Sequence, residues 1–216
     1  MVKGNIKWLF FDLGSTLIDE TEQEKATAEA ISEVLGLSCE DVYDTMVEMS
    51  VAYKNPAVET LRILNGSDEQ LNLIKESGKY YPSELERIFP GVVDMLKELS
   101  GRYKLGVIAN QGAGMELRLK NHGIHEFFSI FAGSGDVGVS KPDPAIFLYA
   151  LKKVGCEAHE AVMIGDRLDN DIYPAKKLGF ITIWVKQGLG GHQKPINRDY
   201  EADYTVGKIV EVARLF

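Results

Sequence analysis

Two carboxylates in this 216-residue chain stand where a buried strand would end. Asp12 follows Trp8-Leu9-Phe10-Phe11, and Asp166 follows Ala161-Val162-Met163-Ile164-Gly165. A continuous apolar run bounded by turn residues reads as a strand of a parallel sheet covered on both faces. Such sheets bind their ligands just outside the carboxyl ends of the strands. If the two strands are neighbours, the carboxylates converge and repel each other, and they need a cation. A hard divalent ion with oxygen ligands, typically Mg²⁺, would supply it. Three further polar residues fall after strand-like runs. Asn110 ends Lys104-Leu105-Gly106-Val107-Ile108-Ala109-Asn110, Lys141 lies in Ser140-Lys141-Pro142-Asp143-Pro144, and Asp171 follows Asp166. An ammonium beside two acids stabilises an anionic group in transfer. Taken singly, each residue has an ordinary reading. Lys141 is then a solvated loop lysine, Asn110 a turn residue, and Asp171 a helix-start residue stabilised by the dipole. Their recurrence after successive strands is what points to chemistry.

Strands that alternate with helices position them. Expected strands are 8–11, 104–110, 128–132, 161–165 and 180–185, with a short one near Tyr204. Helices are expected over 92–99, 115–122, 144–154, 169–178 and 207–215. Asp143 reads as the N-cap of one, with Pro144 at its first position, and Asp169 as the N-cap of another. This alternation predicts an α/β fold with a doubly wound parallel sheet and right-handed crossovers. Residues 20–85 break the alternation. Thr21-Glu22-Gln23-Glu24 has capping-box spacing, and Ala26, Ala30, Ile31, Val34 and Leu35 recur at helical spacing behind it. Further helices are expected from Ser38 to about Tyr53, from Ala57 to Leu64 and from Ser67. A crossover needs one helix, so this block reads as an inserted helical domain of residues 20–85 on a core of 1–19 and 86–216.

The balance of 24 basic and 32 acidic residues leaves a net charge of -8, which argues against a nucleic-acid partner. No run approaches the roughly 20 apolar residues of a membrane span. Cys39 and Cys156 have no metal or redox spacing and read as thiols of a reducing compartment. The expectation is a cytoplasmic protein without membrane or nucleic-acid partners.

The four segments, in this order, resemble the haloacid dehalogenase-like hydrolase superfamily over nearly the whole chain. Its first motif, Asp-x-Asp-x-(Thr/Val), is matched by Asp12, Gly14 and Thr16. Its second is a strand ending in Ser or Thr and then usually Asn, here Ala109-Asn110. Its third is a Lys, often in Lys-Pro-x-Pro, matched by Lys141 to Pro144. Its fourth is Gly-Asp followed by another Asp, matched by Gly165, Asp166 and Asp171. The resemblance implies a Rossmann-like core with the first strand between the second and fourth. It also implies a small all-helical cap over the site, formed by 20–85. It implies that Asp12 is a nucleophile taking a phosphoryl group. Asp12, the Gly14 carbonyl and Asp166 would hold Mg²⁺. Lys141 would neutralise phosphoryl oxygens, Asp171 would position Lys141 or a metal-bound water, and Asn110 would contribute to the phosphate pocket. The implied substrate is a small phosphorylated metabolite.

Two departures matter. The family's second Asp, which protonates the leaving oxygen and later activates water, is Gly14. The family's Ser or Thr is Ala109. Losing a general acid or base costs roughly 10²–10⁴-fold, which slows phosphoester chemistry without forbidding it. Substrates whose leaving group needs no protonation, such as acyl or aryl phosphates, should suffer least. Ser15, Gln111, a cap residue or a metal-bound water are the candidates to substitute. Two alternatives stay open: a weakened relative that binds a phosphorylated ligand as a sensor, and a 2-haloacid dehalogenase. The latter branch usually has Tyr at the position of Gly14 and lacks the Gly-Asp pair.

Overall fold

Strands apolar on both faces have to lie inside a sheet. The computed structural model, which describes residues 1–2, 4–112 and 114–216, places them there. The chain begins with β1 (Trp8–Phe11) and β2 (Ile18–Asp19). Four helices follow: α1 (Thr21–Leu35), α2 (Cys39–Val51), α3 (Pro56–Ile63) and α4 (Asp68–Glu76). Then come β3 (Arg87–Ile88), α5 (Val92–Ser100), β4 (Lys104–Ala109), α6 (Met115–Asn121) and β5 (Phe128–Gly133). The remainder is α7 (Ser134–Val137), α8 (Pro144–Val154), β6 (Ala161–Gly165), α9 (Tyr173–Leu178), β7 (Ile181–Val185) and β8 (Tyr204–Val206).

Six strands form one parallel sheet in the order β5-β4-β1-β6-β7-β8. β1 is fully buried, and its residues alternate between two cores. Leu9 and Phe11 join Val107, Val162, Ile164 and the inner faces of α5 and α6. Trp8 and Phe10 join Met163, Ile146, Phe147 and Ala175 under α8 and α9. Each such side chain contributes about 1.5–3 kcal/mol on burial, which pins the register and fixes where β1 ends. The expected order is observed: β1 lies between β4 and β6, so Asp12 and Asp166 emerge at one edge.

α1 to α4 form a helical unit packed on a cluster that includes Ala28, Ile31, Val42, Met46, Ala57, Leu61, Leu71 and Ile74, and that also takes in Leu189 from the loop after β7. Ser38, Asn55 and Ser67 cap α2, α3 and α4 through their side chains, and Ser67 with Gln70 completes a capping box. The chain leaves and re-enters the core through a two-stranded antiparallel pair, β2 with β3, in which Ile18 faces Ile88. Runs of two residues are too short for any periodicity, and neither strand is legible in the sequence.

Several local expectations are corrected. The Thr21–Glu24 capping box does not form. Glu20 precedes α1 without a side-chain cap, and the Thr21 amide donates to Asp19 Oδ1 instead. Glu24 is turned inward, and Val34 is exposed while Gln23, Glu24 and Thr27 are buried. The buried face of α1 is therefore rotated from its apolar stripe, because its first turns face a polar cleft. Asp169 is not an N-cap. Residues 168–172 form a widened π-turn before α9, and Asp169 pairs with the Arg167 guanidinium. The closing segment, Ile209–Leu215, is 3₁₀ and not α. Asp143 does cap α8, with Pro144 in its first turn.

Candidate active site

Asp12 leaves β1 with its amide bonded to the Ile164 carbonyl of β6, so the neighbouring strand fixes the start of the next turn. That turn is tight. The amides of Thr16, Leu17 and Ile18 all point at Leu13 O, and Ser15 takes a positive φ of 54°. Thr16 is thereby folded back, and its hydroxyl donates to Asp166 Oδ1 at 3.1 Å. Trp184 of β7 holds the Asp166 carbonyl through Nε1 at 2.7 Å.

Lys141 is the pivot. Its side chain is buried, and Nζ donates to Asp12 Oδ1 at 2.6 Å, Asp171 Oδ1 at 2.6 Å and Ile108 O at 3.0 Å. Asn110 grips its backbone from both sides: Nδ2 donates to Lys141 O and Oδ1 accepts from Lys141 N. Asp171 Oδ2 accepts from the Arg167 amide, so the π-turn holds both of its oxygens. The expected residues Asp12, Gly14, Asn110, Lys141, Asp166 and Asp171 all line one cleft of about 320 Å³. Ala109 stays behind them in the core, 1% exposed.

The charges are not balanced within this cluster. Asp12, Asp166 and Asp171 each present an oxygen within 4.8 Å of the others. Burial, with the charges of Asp171 and Asp12, pushes the Asp166 carboxyl well above the usual carboxylate range. Burial pushes Asp171 up to about 6, against the pull of Lys141. Burial works to lower the Lys141 ammonium, but Asp12 and Asp171 outweigh it and hold the proton more firmly than in free lysine. Converging hard oxygen donors with surplus negative charge are the donor set that suits a hard divalent cation.

Two acids that sequence reasoning missed face the same cleft. Glu20 is paired with Arg118 at 2.7 Å, and Arg118 also binds Glu86 at 2.9 Å. Burial raises the Glu20 carboxyl, with Arg118 opposing. Glu24 is 3% exposed and accepts from Ser15 Oγ at 3.5 Å. Its Oε2 has no hydrogen-bond partner among the described residues. The available signal was the i, i+4 spacing of Glu20 and Glu24, which puts both on one helical face. The capping-box spelling hid it.

A family model described as haloacid dehalogenase-like hydrolase matches residues 9–185. A glyceraldehyde 3-phosphate phosphatase of Methanocaldococcus jannaschii is 30% identical over 96% of this chain and 95% of its own length. Pyrimidine 5'-nucleotidase YjjG of Escherichia coli is 27% identical over 96% of each chain. Among solved structures, a haloacid dehalogenase-like family hydrolase of Streptococcus pneumoniae superimposes with a TM-score of 0.76 at 23% identity. It covers 98% of this chain and 99% of its own.

Proposed function

We propose that this chain, which belongs to the haloacid dehalogenase-like hydrolase family, is a Mg²⁺-dependent phosphatase of a small phosphorylated metabolite. The chain is a hydrolase of the phosphatase type, as its relatives are. The finer reading is carried by one observation: Lys141 bridges Asp12 and Asp171 while Asp166 stands close enough to share a cation with them. Asp12 is the accessible member of this cluster, and in this reading it attacks phosphorus and carries the phosphoryl group as an aspartyl phosphate. Lys141 orients Asp12 and stabilises the transferring oxygens. Asp171 and Asn110 hold Lys141 in place from its two ends. Asp12, Asp166 and the Gly14 carbonyl would hold Mg²⁺, which would neutralise phosphoryl charge.

Residues 20–85 act as a cap in this reading, since the helical unit covers the cleft from one side. Asn55, Pro56 and Tyr81 contribute to its lining. Closure over the phosphoryl group would exclude water. Free Cys39 and Cys156 suit a reducing cytoplasm, and no described helix is long and apolar enough to cross a membrane.

A second reading has its own support. Gly14 and Ala109 leave the expected acid and one hydroxyl unfilled, which suits a ligand sensor with little turnover. An assay with p-nitrophenyl phosphate, with and without Mg²⁺ and with Asp12→Asn as control, decides between them. Metal-dependent turnover that vanishes in Asp12→Asn is expected. Turnover indifferent to Asp12 would defeat the phosphatase reading, and phosphate binding without turnover would favour the sensor. Metal-free turnover of a 2-chloroacid would instead favour dehalogenation, which the buried Asp166 opposes.

A further inference from the structure

Gly14 removes a carboxylate from the first turn of the site, and the structure shows what fills its place. A Cβ built on Gly14 would lie 2.4 Å from Glu20 Oε2, 2.5 Å from Glu20 Oε1 and 2.6 Å from Glu20 Cδ. An aspartate's carboxylate oxygens stand at a similar separation from its own Cβ, although its carboxyl carbon is only a single bond away. The Glu20 carboxyl thus lies in the space that a side chain at position 14 would enter. We propose that Glu20 supplies the carboxyl that serves the leaving oxygen. This rests on the phosphatase reading above and adds the group that reading lacks.

Two further observations point the same way. The cleft that holds Asp12 adjoins a larger cavity of about 930 Å³, and Glu20, Tyr81, Asn110 and Gln111 line both. With the phosphoryl group at Asp12 and the rest of the substrate in the larger cavity, the scissile oxygen falls at their junction, beside Glu20. The carboxyl is also fixed there. Arg118 holds Oε1 at 2.7 Å and is itself held by Glu86, while Oε2 has no hydrogen bond among the described residues. Glu24 does not fit the role, because it lines only the smaller cleft and is turned to Ser15. The Gly14 carbonyl leaves the backbone by another bond, so a cation held through that oxygen and a carboxyl at the Cβ position occupy different places.

The chemistry balances. Asp12 Oδ bonds to phosphorus as the ester P–O bond breaks, and the Glu20 carboxyl proton passes to the departing oxygen, which leaves as an alcohol. Water then attacks phosphorus, its proton returns to the Glu20 carboxylate, and the Asp12 oxygen–phosphorus bond breaks to release phosphate. Overall, ester and water give alcohol and phosphate.

The test separates leaving groups. Departure of p-nitrophenolate needs no proton, whereas departure of an alkoxide does. Glu20→Gln should lose about 10²-fold more kcat on glycerol phosphate than on p-nitrophenyl phosphate, at the low end of general-acid contributions. The double variant Gly14→Asp/Glu20→Ala, which empties the occupied volume and moves the carboxyl to the turn, should recover most of the glycerol phosphate activity. Equal losses on both substrates in Glu20→Gln, or undiminished glycerol phosphate turnover, would overturn the assignment. If Glu20→Gln does not fold, the double variant decides: turnover of p-nitrophenyl phosphate without recovery on glycerol phosphate overturns it. A folded wild-type protein that turns over neither substrate defeats the phosphatase reading itself, and this assignment with it.

Discussion

Lys141 Nζ lies 2.6 Å from Asp12 Oδ1 and 2.6 Å from Asp171 Oδ1, so one buried ammonium joins residues from three separate stretches of chain. The ion pair and the site are one structure. Removing a single partner from a buried pair leaves uncompensated charge and costs about 3–5 kcal/mol. Lys141→Met should therefore destabilise the protein by that order at pH 8. The loss should shrink towards pH 4, where Asp171, already raised to about 6 by burial, takes up a proton. Urea denaturation at the two pH values measures this, and an equal loss at both would show that the charge is not the cause. Activity towards p-nitrophenyl phosphate should disappear in the same variant.

Lys141 alone does not balance the three carboxylates, and burial, with the charges of Asp171 and Asp12, raises the Asp166 carboxyl well above the usual range. Magnesium should raise the melting temperature, with a stabilisation of about 2.7 kcal/mol at one hundred times its Kd. Asp166→Asn should do two opposite things. It should raise the stability of the metal-free protein, because the cost of burying that acid among two others is gone, and it should abolish the magnesium-dependent shift. Thermal melts with and without Mg²⁺ check both signs. A retained shift in Asp166→Asn would mean that the ion binds elsewhere.

The sheet was legible because each of its inner strands is largely apolar on both faces and is followed by a polar residue. The pattern marked Asp12, Asn110, Lys141 and Asp166 as strand-end candidates, and the family resemblance supplied the strand order that pairs Asp12 with Asp166. The cost of burying the Lys141 ammonium was not legible, since it depends on two acids from distant stretches closing over it. β2 and β3 were invisible for want of length. Asp169 was misread because a cap and an ion pair are spelled alike, and only the π-turn, which aims Asp171 at Lys141, separates them. Glu20 was missed for a deeper reason. An empty position in a motif is visible in a sequence, and so is the i, i+4 spacing of Glu20 and Glu24, but that Glu20 lies in that space is decided by the tertiary fold.

The loop after β7 carries a further steric demand. A Cβ on Gly190 would lie 2.3 Å from Asp166 Oδ2 and 2.7 Å from the Asp166 carbonyl oxygen. The second contact is with backbone, so no rotamer change relieves it. Overpacking of this kind costs about 1–3 kcal/mol. Gly190→Ala should lower stability by that amount and weaken the magnesium-dependent thermal shift, because Asp166 must move. A variant with normal stability and a normal shift would show that the loop is free to retreat.

Glu24 gives the molecule a pH dependence that owes nothing to the ion pair. Burial raises its carboxyl from 4.5 to about 7, Glu20 and Asp19 add to the effect, and the Leu189 amide and Ser15 hydroxyl oppose it. The folded protein therefore holds a proton that the unfolded chain releases. The associated stability is fully present below pH 4.5 and is lost as pH rises to about 7. At about 1.4 kcal/mol per pH unit, the loss is on the order of 3 kcal/mol. Glutamine imitates the protonated acid at every pH. Glu24→Gln should match the wild type near pH 4.5 and exceed it by about 3 kcal/mol above pH 7, in denaturation midpoints measured across that range. A stability difference that stays flat with pH would mean that Glu24 is ionised throughout, and that the cleft holds one more negative charge than its burial allows.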